Sequence, residues 1–321
     1  MNLIHVFQKV TVSMNAFAML TALRRLALVW LLALPLAGAA AEQRTFATPE
    51  AALDALVAAL KANDVPAITA IFGEKYRNII VTGDPAHDAA RRAASVAELA
   101  TYRMLEERGS DRRVLLMGAQ ARPFAVPLVR EGAAWRFASE QGVEELLNRR
   151  VGANERNAIF VLRAYVDAQR QYASRDRDGD GVLQYATKIA STPGKQDGLY
   201  WPADAAKGDE VSPFGPLIAE STVNPAERKR GAPYRGYRFK VLTAQGPSAP
   251  GGAYSYVING RMIAGFAMVA YPDEFGRSGV MTFMVSHNGK VYQKNLGANS
   301  AGIASNMTRF DPGAGWTEVA P

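Results

Sequence analysis

Asp176, Asp178 and Asp180 stand at alternate positions in "SRDRDGDGVLQYA", residues 174–186, and Gly181 follows at once. Calcium is a hard cation that takes about six to eight oxygens, gathered most readily from alternate residues of a tight loop. In an EF-hand-like register the three aspartates fill positions one, three and five, and Gly181 turns the chain at the sixth. Val182 would offer its carbonyl at the seventh position, and Gln184 falls at the ninth. Thr187 stands at the twelfth, where the standard loop carries a bidentate glutamate. A complete site therefore needs another carboxylate, and Asp197 in the loop downstream is the candidate donor. The expected ion is Ca²⁺ rather than Mg²⁺, whose octahedral demands are stricter. The alternative is a solvated acidic turn that ends a helix, its repulsions offset by Arg175 and Arg177.

Other chemistry has few carriers. The absence of cysteine excludes thiol catalysis, disulfides and lipid attachment through a thiol. Beyond the N-terminal segment the only histidines are His87, in the polar stretch "GDPAHDAARR", and His287, in the hairpin signal "SHNGK". No serine lies in a G-x-S-x-G elbow, and "GPSAPGG" has neither a G-x-G-x-x-G pattern nor a phosphate-binding lysine. Acid catalysis on glycan or peptide would have to use loop carboxylates such as Glu144, Asp197 or Asp209, gathered at the junction of two domains. Tyr200-Trp201-Pro202, with Tyr234, Tyr237, Tyr254 and Tyr256, are candidates for an aromatic glycan-binding surface; the bland expectation is packing on the faces of a sheet.

These residues need a frame. Over 321 residues, 48% are hydrophobic, enough for one large or two modest cores. The net charge of +7 includes three bases, Lys9, Arg24 and Arg25, in a stretch of 41 residues without an acid. The remaining bias is slight, and no basic stripe interleaves with aromatics, which argues against nucleic acid as a partner. Arg24-Arg25, the apolar run Leu26–Leu36 and the small residues Ala39-Ala40-Ala41 read as a signal peptide over residues 1–41. The apolar run is too short to span a bilayer, so the mature chain is expected to be exported, periplasmic or secreted, with no membrane span.

An α+β fold is expected in two domains. In residues 42–150, Thr48-Pro49 starts a helix with Leu53, Leu56, Val57 and Leu60 on one face, and a second helix buries Ile68, Ile71 and Phe72. Strands follow at Val114–Met117, Phe124–Val129 and Trp135–Phe137. This order resembles the cystatin-like and NTF2-like folds, whose curved sheet often encloses a cone. Whether Phe72 and Trp135 fill that cone decides if it can take a ligand. In residues 151–321 a helix within "NERNAIFVLRAYVDAQRQYAS" shows one face of Ile159, Leu162, Tyr165, Val166, Gln169 and Tyr172, and a meander of four or five strands ends the chain.

The stretches "LNRRVGANE", "YVDAQRQYASRDRDGDGVLQYA", "STPGKQDGLYWP", "PYRGYRFKVLTAQGP", "APGGAYSYVINGRM" and "GFAMVAYPDEFGRSGVMTFMV" resemble the bacterial domain-of-unknown-function family 2950, and "FATPEAALDAL" extends the likeness to the first domain. The resemblance implies a secreted or periplasmic protein and brings no activity with it. The order of long helix, "GYRFKV" and "AYPDEFGRSGVMTFMVSHNGKVY" is also similar to globular domains of type IV pilins and pseudopilins, which implies a helix packed on an antiparallel sheet. Unlike the pilin helix, this one follows a whole domain and carries Glu155, Arg156, Arg163 and Arg170. The function expected is that of a non-enzymatic envelope protein, a binding or structural module with a Ca²⁺-stabilised loop and an envelope protein or glycan as partner. The alternative is a periplasmic hydrolase.

Overall fold

The computed structural model describes residues 42–81, 84–215 and 233–320. The expected signal segment lies outside them. Among the described residues no helix is long and apolar enough to cross a membrane. The chain divides into two compact units between Glu140 and Gln141, and each mixes helices with antiparallel sheet.

In the first unit α1 spans Pro49–Lys61, and the Thr48 hydroxyl accepts the Ala51 N–H at 3.1 Å. That side-chain oxygen satisfies one of the amides left unpaired at a helix start, and Pro49 has no amide to satisfy. Leu53 and Leu56 turn inward as their spacing predicts. Asn63 takes a left-handed turn, and Asp64 then caps α2, Val65–Phe72, by accepting the Ala67 N–H at 2.9 Å. A longer α3, Pro85–Thr101, precedes the sheet.

The sheet runs in the order β1-β2-β4-β5: Arg103–Glu107, Arg112–Met117, Leu128–Glu131 and Ala134–Phe137, with the short β3, Arg122–Pro123, paired to β2. Phe124–Val129 does not form one strand as its apolar run predicts. Only Leu128 and Val129 belong to β4; before them Pro127, without an N–H, interrupts pairing, and Val126 is buried in the core instead. The rings of Phe72, Phe124 and Phe137 lie 5.2–6.4 Å apart. Phe72 and Trp135 are both buried in the same cluster of this unit.

The long helix is α4, Ser139–Tyr172, which belongs to the second unit from Gln141 onward and begins well before the Asn154 expected from the amphipathic pattern. Leu162, Tyr165, Val166, Gln169 and Tyr172 are buried, and Arg163, Asp167 and Arg170 face solvent. The helix shares a core with a five-stranded antiparallel sheet ordered β15-β13-β12-β11-β6. These strands are β6, Tyr237–Leu242; β11, Ala267–Pro272; β12, Thr282–Ser286; β13, Val291–Lys294; and β15, Thr317–Glu318. Every residue of β11 and β12 is buried, so both faces of the sheet centre are covered. Short strands complete the unit: β7, Ala244–Gln245, β8, Tyr254–Ser255, and β14, Arg309–Phe310, form a three-stranded sheet, and β9, Val257–Ile258, and β10, Arg261–Met262, form a hairpin.

Polar anchors fix the helix on the sheet. The Tyr165 hydroxyl donates to the Ala267 carbonyl at 3.2 Å, and Gln169 both donates to the Ala186 carbonyl and accepts the Ala186 N–H, each at 2.8 Å. A buried amide is tolerable only when so satisfied. The carboxylate of Glu155 accepts the N–H groups of Val280 and Met281 at 2.9 and 3.0 Å, tying the middle of α4 to the loop before β12. The C-terminal end of α4 then delivers the chain into the aspartate turn.

Candidate ion loop and adjoining cleft

The aspartate turn folds around Asp176. Its Oδ1 accepts the N–H groups of Gly179 and Asp178 at 2.9 and 3.2 Å, and its Oδ2 accepts that of Gly181 at 2.7 Å. Gly179 and Gly181 both have positive φ, which lets the chain close so tightly. The Gly181 N–H, helped by the others, holds the Asp176 carboxyl below the usual carboxylate range. The other two aspartates are also engaged. Asp178 accepts Gln184 Nε2 at 2.5 Å; Asp180 accepts the Val182 N–H at 3.0 Å and pairs through its other oxygen with Arg261 of β10. Asp197, the expected extra donor, spends its carboxylate on Lys188 Nζ at 2.7 Å and on the Thr192 N–H and hydroxyl at 2.7 and 2.9 Å. Among the described residues no three acidic or histidine side chains converge as a ligand set.

Between the first two aspartates sits Arg177, which the reading of the motif passes over as a mere offsetting charge. Its side chain is only 6% exposed. The guanidinium lies between two aromatic rings, 4.8 Å from the centroid of Tyr172 and 4.9 Å from that of Trp201. It forks onto Glu210 at 3.1 and 3.3 Å and donates through Nε to the Tyr172 carbonyl at 3.2 Å. An arginine can fill this slot because its planar, weakly hydrated head stacks and hydrogen-bonds at once. The available sequence signal was an arginine interrupting the aspartates five residues after a helical tyrosine.

Arg177 stands behind a cleft of about 700 Å³ lined by Ala190–Gln196, Tyr200–Pro202, Asp209 and Glu210. The cleft walls are short extended segments: the Ser191 N–H donates to the Tyr200 carbonyl and the Tyr200 N–H to the Ile189 carbonyl, both at 2.8 Å. Gly198 permits this approach, since a Cβ there would sit 2.8 Å from the Ala190 carbonyl carbon and the Ser191 nitrogen. Trp201 is held from two directions, by the Arg177 stack and by its Nε1, which donates to the Glu210 carbonyl at 2.9 Å.

The carboxylates considered for catalysis are placed differently from one another. Desolvation raises the Asp197 carboxyl, but its bonds to Lys188 and Thr192 outweigh that and hold it at about 2. Glu210, beside the same cleft, is held below its usual range chiefly by Arg177, with Arg175 adding to the effect. Asp209 accepts the Asp204 N–H at 3.0 Å, and Glu144 is exposed on α4. The aromatic candidates divide as well. Tyr237 and Tyr256 are fully buried core residues, and burial pushes both hydroxyls up. Tyr234 is half-buried and Tyr254 lies at the surface, whereas Tyr200 and Trp201 line the cleft. His287 packs edge-on to Tyr256 and Phe266, its Nδ1 buried without a hydrogen-bond partner among the described residues, and desolvation lowers its pKa. His87 lies in the first turn of α3, and its side chain is outside the described residues.

Fold and site thus define an α+β protein whose second unit joins an aspartate-rich turn to a mixed aromatic and polar cleft. The chain belongs to the family described as "Protein of unknown function (DUF2950)", whose profile matches residues 43–319. No curated protein and no solved structure matches it.

Proposed function

We propose that this chain is an exported, non-enzymatic envelope protein, a binding module whose second unit holds its ligand in the cleft beside Trp201. One observation carries the reading: Glu210 at the cleft and Asp197 beside it are each bound to a cation, Arg177 at 3.1 Å and Lys188 at 2.7 Å. A general acid needs a carboxyl whose pKa is raised toward the working pH. Here Asp197 and Glu210 are pushed the other way by Lys188 and Arg177. Such groups hold loops in shape and do not exchange protons near neutrality. Export is supported by the signal-like segment and by the family match beginning at residue 43, just beyond the expected cleavage after Ala41. The layout of short helices before one five-stranded sheet, then a long helix against a second, supports cystatin- or NTF2-like and pilin-like affinities for the two units.

Ca²⁺ belongs to this reading as a stabiliser of the turn. Its support is the aspartate spacing and a backbone already closed around Asp176. The donor set would require Asp180 to leave Arg261 and Asp178 to leave Gln184, so the site is a weak one suited to an ion-rich compartment. The test of the main reading uses the mature chain with cell-wall polymer and with a peptide substrate. Retention on polymer without release of reducing ends or new amino termini is expected. Time-dependent product release that Asp197→Asn or Asp209→Asn abolishes would overturn it in favour of a hydrolase.

A further inference from the structure

We infer that the cleft beside Trp201 takes a neutral oligosaccharide, an assignment that rests on the binding-module reading and names its ligand class. The volume falls within the roughly 300–1,000 Å³ usual for small-ligand sites. Charge narrows the choice. Among the described lining residues Lys195 and Asp209 offset one another in net charge, and Glu210 is the remaining charged group. Glu210 is already paired with Arg175 and Arg177 at 3.3 and 3.1 Å, so it has little attraction left for an incoming cation. What remains suits an uncharged molecule.

The free hydrogen-bonding atoms suit hydroxyls. Gln196 accepts Arg177 through Oε1 but makes no bond through Nε2 among the described residues, leaving an amide donor. The Tyr200 hydroxyl has no partner among them either and can donate or accept. Asp209 uses Oδ2 for the Asp204 N–H and keeps Oδ1 as an acceptor. Vicinal hydroxyls, each both donor and acceptor, match such an alternating set. Pro193, Pro202 and the half-buried Tyr200 ring supply apolar surface for the C–H face of a sugar. The site is also built before ligand arrives: Arg177 and the Glu210 carbonyl fix Trp201, so little ordering entropy remains to oppose binding. Arg177 is thus a positioning residue, set behind the cleft wall.

Calorimetric titration of the mature protein with chitotetraose and cellotetraose tests the assignment, with spermidine and inorganic phosphate as charged counter-probes. Saturable binding of at least one tetrasaccharide is expected, weakened about tenfold by Tyr200→Ala and by Gln196→Ala, while Leu183→Ser, an exposed change outside the cleft, leaves it intact. Unchanged melting curves for the two cleft variants would separate lost contacts from lost folding. Binding of spermidine or phosphate in place of both sugars, no binding of any probe, or sugar binding indifferent to both cleft variants would overturn the assignment. Hydrolysis of a bound tetrasaccharide would refute the non-enzymatic reading and leave the ligand class standing.

Discussion

Replacing Arg177 by alanine removes the guanidinium between Tyr172 and Trp201 and leaves Glu210 without its fork. Two cation–π contacts at a nearly buried site are worth about 0.5–2 kcal/mol each. Breaking a buried ion pair from one side costs about 3–5 kcal/mol. These contributions overlap, and Glu210 keeps 32% of its side chain in water, so the low end applies. The expected loss for Arg177→Ala is about 3 kcal/mol, with a fall of about 6–12 °C in the melting temperature of the second unit. Arg177→Lys keeps the charge but not the planar fork and should recover less than half of that loss. Differential scanning calorimetry of Arg177→Ala, Glu210→Gln and the double variant completes a thermodynamic cycle. A coupling energy of about 1–2 kcal/mol is expected for groups in direct contact. If Arg177→Ala costs less than about 0.5 kcal/mol, or if the two changes simply add, Arg177 does not clamp the cleft and the rigidity assigned to Trp201 fails.

Adding millimolar Ca²⁺ to chelator-treated protein should raise its melting temperature by mass action, Asp178→Ala with Asp180→Ala should remove the rise, and Arg261→Ala should enlarge it by freeing Asp180; a flat response would exclude the ion. Asp197 has its pKa lowered to about 2 in the folded chain, so its contribution is present above the unfolded value near 4 and is lost as pH falls from there toward 2. Asp197→Asn should flatten the acid limb of a stability–pH curve measured by urea denaturation across that window. His287 is also lowered, by burial, but the window differs: the folded state resists its protonation, so stability falls as pH drops through the unfolded value near 6.5. His287→Phe should remove that part of the pH dependence, and a curve unaltered between pH 7 and about 5 would refute it. Gly279→Ala would drive a methyl group into the buried Tyr237 ring and should cost about 1–3 kcal/mol by denaturant unfolding; an unchanged unfolding midpoint would refute it.

Much of the frame was legible from local pattern. Thr48-Pro49 announced α1 because capping chemistry is decided within one turn, and the face Leu162, Tyr165, Val166, Gln169 and Tyr172 announced α4 through its period. The start of α4 was not legible, because "SEQGVEELLNRR" has little apolar periodicity and reads as solvated. The break in Phe124–Val129 is not legible from apolarity, which counts burial without counting backbone donors, and Pro127 has none.

The aspartate motif divides in the same way. Its alternating carboxylates and turning glycine are local facts, and a tight turn around Asp176 follows from them. What those carboxylates face is decided by residues far along the chain. Arg261, brought by the β9–β10 hairpin, takes Asp180, and Lys188 and Thr192 take Asp197. Arg177 gains its role only because folding brings Trp201 and Glu210 beside the end of α4. Spacing along a chain fixes which groups can meet within a turn or two; the energies of charges and aromatic faces depend on through-space distance and burial, which only the packed structure sets.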